Sequence, residues 1–134
     1  MEERVRVSSG APWEAIAGYS RAIRVGNTIH VAGTTAQGPD GALVGRGDPA
    51  VQTRRCLEII EEALVACGAR LEDVVRTRMY VTDIQRWEPI ARVHGEVFGA
   101  IRPVTAMVEV KGLVDPDMLV EIEAVAIVSD ERVP

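Results

Sequence analysis

Apolar and charged residues alternate from the start of the chain (Arg4, Val5, Arg6, Val7), the two-residue period of an edge strand over residues 2–9. Residues 10–13 read as loop. Residues 19–25 and 28–32 flank Gly26-Asn27, the signature of a β-hairpin, and His30 is out of phase with Ile29 and Val31. Loop follows to Gly47, with a tight turn at Gly38-Pro39-Asp40-Gly41. The period then changes to that of a helix. Asp48 stands as N-cap with Pro49 in the first turn, Leu57, Ile60, Leu64 and Cys67 share one face, and Gly68 is the left-handed stop. A strand is predicted over residues 74–82, with Val75, Thr77, Met79 and Val81 on one side and Arg76, Arg78 and Tyr80 on the other. Asp83 caps a second helix over residues 87–98, whose stripe is Trp87, Ile90, Val93 (or His94) and Val97 and which ends at Gly99. Arg102 precedes Pro103 and is expected to be extended. Strands over 104–110 and 120–128 close the chain around the Val114-Asp115-Pro116-Asp117 turn.

The order β-β-β-α-β-α-β-β predicts one α+β domain over residues 1–134, with two helices on one face of a mixed sheet. The segment Ala124-Val125-Ala126-Ile127-Val128 is apolar at both parities, so both of its faces should be buried. Two helices cover one face only. The other calls for a second copy of the chain.

Composition narrows the function. The net charge of −5 argues against a polyanion partner, because nucleic-acid binding draws on clustered cations. Fourteen arginines stand against one lysine, Lys111, so a given arginine is first read as solvated surface charge. Cys56 and Cys67 are eleven residues apart on one helix, a rise of roughly 16 Å. A disulfide tolerates about 7 Å between Cα atoms, so both are read as buried thiols. Two histidines without ligand spacing give a metal site little support. No apolar run is long enough to cross a membrane, and Met1-Glu2-Glu3 lacks the basic and apolar regions of a signal peptide, so a cytoplasmic location is expected.

Several segments, in order, resemble the reactive-intermediate deaminase family (RidA, also YjgF or endoribonuclease L-PSP). They are Gly18-Tyr19, Val25-Gly26-Asn27, Val31-Ala32-Gly33, Val81-Thr82-Asp83, Arg102-Pro103, Val108-Glu109-Val110 and Glu121-Ile122-Glu123-Ala124-Val125-Ala126. The resemblance implies a chorismate-mutase-like fold, a homotrimer with a central barrel and helices outside, and ligand clefts between subunits. It implies hydrolysis of reactive enamine and imine acids to keto acids and ammonia, with no cofactor or metal.

In those deaminases an arginine just after the proline segment grips the substrate carboxylate. The matching position here is Thr105. A hydroxyl cannot replace the two-point, charged contact of a guanidinium. Arg92, on the second helix, is a candidate substitute. The resemblance makes Glu121 the group that positions or protonates the hydrolytic water, with Glu123 close enough to share its site. It places Tyr19 at the cleft mouth, Gly33 as a backbone donor, and Met107 where a small residue usually stands. Three readings follow: an imine or enamine hydrolase with a substrate other than the usual 2-imino acid; a trimeric ligand-binding or protein-interaction module without chemistry; and, disfavoured by charge, an endoribonuclease.

Overall fold

A two-residue turn, with Gly26 at φ 59°, joins β2 (Ala22–Val25) to β3 (Thr28–Thr34) and pairs Val25 with Thr28. Glycine reaches that left-handed backbone without steric cost. In this computed structural model, which describes residues 3–129, the hairpin belongs to a six-stranded sheet. Its other strands are β1 (Arg4–Val7), β4 (Val74–Val81), β5 (Val104–Glu109) and β6 (Val120–Ile127), in the order β1-β2-β3-β6-β4-β5. All neighbours are antiparallel except β4 and β5, which are parallel and joined through α3 (Trp87–Phe98). A parallel pair needs such a crossover. The sheet is mixed, as expected. Of the single domain expected over 1–134, residues 1–2 and 130–134 lie outside the described residues, as does the Met1-Glu2 start.

The long helix α2 (Pro49–Ala66) begins where Asp48 accepts a hydrogen bond from the Val51 N–H, and it stops before Gly68 at φ 77°. Leu57, Ile60, Leu64 and Cys67 are buried, and α2 lies on β3 and β6 and against α3. Each fully buried leucine or isoleucine contributes about 1.5–3 kcal/mol. Opposite them, Val120, Ile122, Ala124 and Ala126 of β6 are buried; the alternating Glu121, Glu123 and Val125 are half-buried, and Ile127 is 50% exposed.

Five expectations are corrected. A third helix, α1 (Pro12–Ala17), occupies ground read as loop in part; six residues are too few to display a helical period. A register shift against β6 between Val74 and Arg76 buries Val74 and leaves Val75 exposed. Asp83 caps a short 3₁₀ turn, Ile84–Arg86, ahead of α3. Trp87 is then 52% exposed, and Ile90, Val93, His94 and Phe98 make the buried stripe. Arg102 is left-handed at φ 61° rather than extended. Its N–H reaches the Phe98 carbonyl and its Nε the Gly99 carbonyl, so it satisfies the end of α3.

Candidate active site

Pro12 starts α1 and Gly18, left-handed at φ 77°, ends it. Between them Glu14 is buried, and its carboxylate accepts from the Ser8 hydroxyl at 2.8 Å, the Ser9 N–H at 3.1 Å and the Ser9 hydroxyl. Burial raises this carboxyl, but the serine hydrogen bonds outweigh it and hold Glu14 below its ordinary value. The Glu14 carbonyl accepts from the Gly18 and Tyr19 N–H groups, which aims the chain into Tyr19 and Arg21.

Tyr19 is 38% exposed, at the mouth of a cavity of about 570 Å³. Arg21 lies deeper, only 7% exposed, with its guanidinium 6.0 Å from the Tyr19 ring centre. Its Nη2 donates to the Gly33 carbonyl, and its buried Nε has no partner. This corrects the reading of the arginines as surface charge. The pattern places Arg21 inside the hairpin's first strand, whereas β2 starts at Ala22, and Arg21 takes part in no motif; its one signal is a charge beside the apolar Ala22 and Ile23.

Gly33 sits where β3 slips register against β6, between the pairs Val31–Ala124 and Thr34–Ile122. A Cβ on Gly33 would lie 2.6 Å from Oε2 of Glu121, so only glycine leaves room for that carboxylate. Glu121 is half-buried in the cavity wall. Burial raises its carboxyl above the ordinary range, Glu123 adds repulsion, and Arg21 opposes both. The cavity therefore holds a carboxyl biased toward its protonated form and a permanent cation, placed around one bulged glycine. Met118, Trp13 and Ile59 supply apolar wall.

Three expected residues, Tyr19, Gly33 and Glu121, are thus brought together. The other three are not. Thr105 and Met107 lie on β5, two strands from β6, and neither they nor Arg92 line this cavity. Arg92 is exposed and paired with Glu88 one helical turn away. Met107 is half-buried and packs on the core. The Thr105 hydroxyl accepts from Thr77 at 2.7 Å, and Thr77 is bonded to Nε2 of buried His94 at 2.8 Å. Burial pulls His94 below its ordinary value, and which of His94 and Thr77 donates in their bond follows the imidazole tautomer.

Glu123 faces another recess, about 560 Å³, on the uncovered side of the sheet, with His30, Arg76 and Arg78. The Tyr80 hydroxyl donates to Glu123 at 2.7 Å. Cys56 and Cys67 are buried free thiols, and burial pushes Cys56 far up. Among the described residues no group of three or more His, Cys, Asp or Glu could hold a metal, and no helix is long and apolar enough to cross a membrane.

The geometry has close relatives. A family model described as Endoribonuclease L-PSP matches residues 9–128. The 3-aminoacrylate deaminase RutC of Acinetobacter baylyi is 34% identical over 126 residues, 94% of this chain and 98% of that one. A crystal structure of a YjgF/YER057c/UK114 family member from Mycobacterium tuberculosis is 54% identical with a TM-score of 0.86, covering 94% of this chain and all of that one. The structure of E. coli TdcF with bound serine is 26% identical, with a TM-score of 0.82, covering 95% of this chain and 100% of that chain. The chain belongs to the endoribonuclease L-PSP family, the RidA/YjgF proteins.

Proposed function

We propose that the protein hydrolyses a small imine or enamine, without cofactor, in a cleft that a neighbouring copy completes. The carrying observation is Glu121: a half-buried carboxyl, raised by burial, held against Gly33 in a walled cavity. Protonated, it delivers its proton to the enamine and makes the carbon electrophilic. As the carboxylate, it takes a proton from water while the oxygen adds to that carbon. Glu121 then gives that proton to the nitrogen, the C–N bond breaks and ammonia leaves, and the hydroxyl proton returns to the Glu121 carboxylate as the water oxygen becomes the carbonyl. A positioned water and a matched acid–base group each lower such a barrier by a few kcal/mol, about 10²–10⁴-fold in rate for the proton transfers.

The neighbour is part of the reading. The edge strand β5 is exposed along most of its length, with Val104 68% exposed and Val108 42%, and the uncovered sheet face carries Val125 and Ile127. Unpaired edges and apolar faces call for a partner. A cytoplasmic homotrimer with its sheets around a central barrel would cover both and bring Thr105 and Met107 of one copy toward Glu121 of another.

Thr105 stands where the resemblance implies the acid-gripping arginine, which favours a substrate other than the usual 2-imino acid. The RutC relative is a 3-aminoacrylate deaminase, which makes 3-aminoacrylate the first substrate to test. Ammonia release should exceed the protein-free rate for 3-aminoacrylate or a neutral enamine. For 2-aminoacrylate generated by a serine dehydratase, Thr105→Arg should outpace the natural chain. No acceleration with any of the three would instead support the second reading, a ligand-binding module that kept the fold and lost the chemistry.

A further inference from the structure

We propose that Arg21 is the anion-recognising residue of this cavity and that the ligand is a short-chain carboxylic acid. The inference deepens the hydrolase reading and rests on it for the place of the reacting carbon, beside Glu121.

Arg21 is more than nine-tenths buried, and a guanidinium carries its charge at every physiological pH. A buried cation is ordinarily paired with a carboxylate, since desolvation is otherwise uncompensated. Arg46, Arg54, Arg55, Arg78 and Arg92 all sit in ion pairs, and all are more exposed than Arg21, while half-buried Arg24 spends its guanidinium on the Gly26 and Cys67 carbonyls. Among the described residues no carboxylate lies within ion-pair distance of Arg21. It has one hydrogen bond, to the Gly33 carbonyl, and an Nε without any. The nearest negative groups, Glu14 and Glu121, act on it only at longer range, and Glu14 is engaged by Ser8 and Ser9. The fold thus carries a cation whose planar fork is incompletely used, on the wall of the cavity.

Position gives the ligand its length. Arg21 grips the Gly33 carbonyl while the Glu121 carboxylate overlies the Gly33 Cα, so the two groups bracket a single residue. A ligand whose carboxylate meets Arg21 has its next carbons beside Glu121, which suits a short acid. The Tyr19 ring stands 6.0 Å from the guanidinium at this end. The acid is held from the β2 side, by the same copy that supplies Glu121, and needs no arginine at position 105.

The test measures binding, apart from turnover. Pyruvate and acetoacetate, as product-like acids, are titrated by calorimetry against pyruvamide and acetoacetamide, their neutral counterparts. The natural chain should bind at least one acid about tenfold or more tighter than its amide. Arg21→Gln should abolish that preference, leaving amide binding within a few-fold, and Arg21→Lys should keep part of it. Should Arg21→Gln fail to fold, Arg21→Lys carries the test: an acid preference as large as the natural chain's would then point to Arg55, which lines the same cavity, and overturn the proposal. Equal affinity for acid and amide, or no binding of either at millimolar concentration, overturns the proposal, as does an acid preference that survives in Arg21→Gln. Glu121→Gln separates the two readings: acid preference with no ammonia release in any variant leaves the anchor standing and removes the hydrolase.

Discussion

Glu121 is protonated more readily in the fold than in the unfolded chain, because burial and Glu123 disfavour its charge. The folded state therefore binds a proton that the unfolded state releases, and stability falls as pH rises through the raised carboxyl. Glu121→Gln should raise the melting temperature at pH 7, and the gain should vanish below the ordinary value of 4.5. Thermal melts across pH check it. His94 works in the opposite sense. Its folded value is depressed by burial, so the unfolded chain takes up the proton first and stability declines as pH falls below 6.5. In His94→Gln that decline should flatten. Gly33→Ala places a methyl against Oε2 of Glu121, and the flexible carboxylate end can swing away. Ammonia release should drop by about tenfold or more with little change in melting temperature, since an ångström of misplacement is felt in rate. Glu121 and Gly33 were legible from the sequence by resemblance. Arg21 was not, because its burial comes from α1, the β3 bulge and α2 meeting over it, none of which leaves a mark at that residue.

At the scale of elements, most of the fold could be read from periodicity. The hairpin, both long helices, the β4–β6 region and the caps at Asp48 and Gly68 stand where the pattern put them. The misses share a cause. A short helix, a register shift and a left-handed residue at the end of α3 are each decided by one or two backbone hydrogen bonds, which hydrophobic spacing does not record. Of these, α1 matters most for function, since it carries Trp13 and leads into Tyr19 and Arg21. It is pinned to the Ser8-Ser9 segment after β1 through Glu14. Replacing Glu14 by alanine should cost about 2 kcal/mol, read by urea denaturation, because it removes hydrogen bonds to a charged acceptor. Ligand binding should weaken along with it as the cavity wall loosens.

At the scale of the whole molecule, the expected site residues fall into two groups that a single chain keeps apart. Tyr19, Gly33 and Glu121 share a cavity, while Thr105 and Met107 sit on the exposed edge strand. The resemblance groups them as one site because it implies an assembly with clefts between subunits. If the assembly is the working unit, light scattering should return a mass near three times 14.5 kDa. Val104→Lys, on β5, should shift that mass downward and weaken catalysis together. Glu121 in its place over Gly33 is the centre of the proposed chemistry. The direct measurement is ammonia release from 3-aminoacrylate by the natural chain and by Glu121→Gln, both shown by circular dichroism to be folded. Acceleration by the natural chain, cut about 10²-fold or more in the variant, is the predicted result. Equal rates in the two proteins would contradict it.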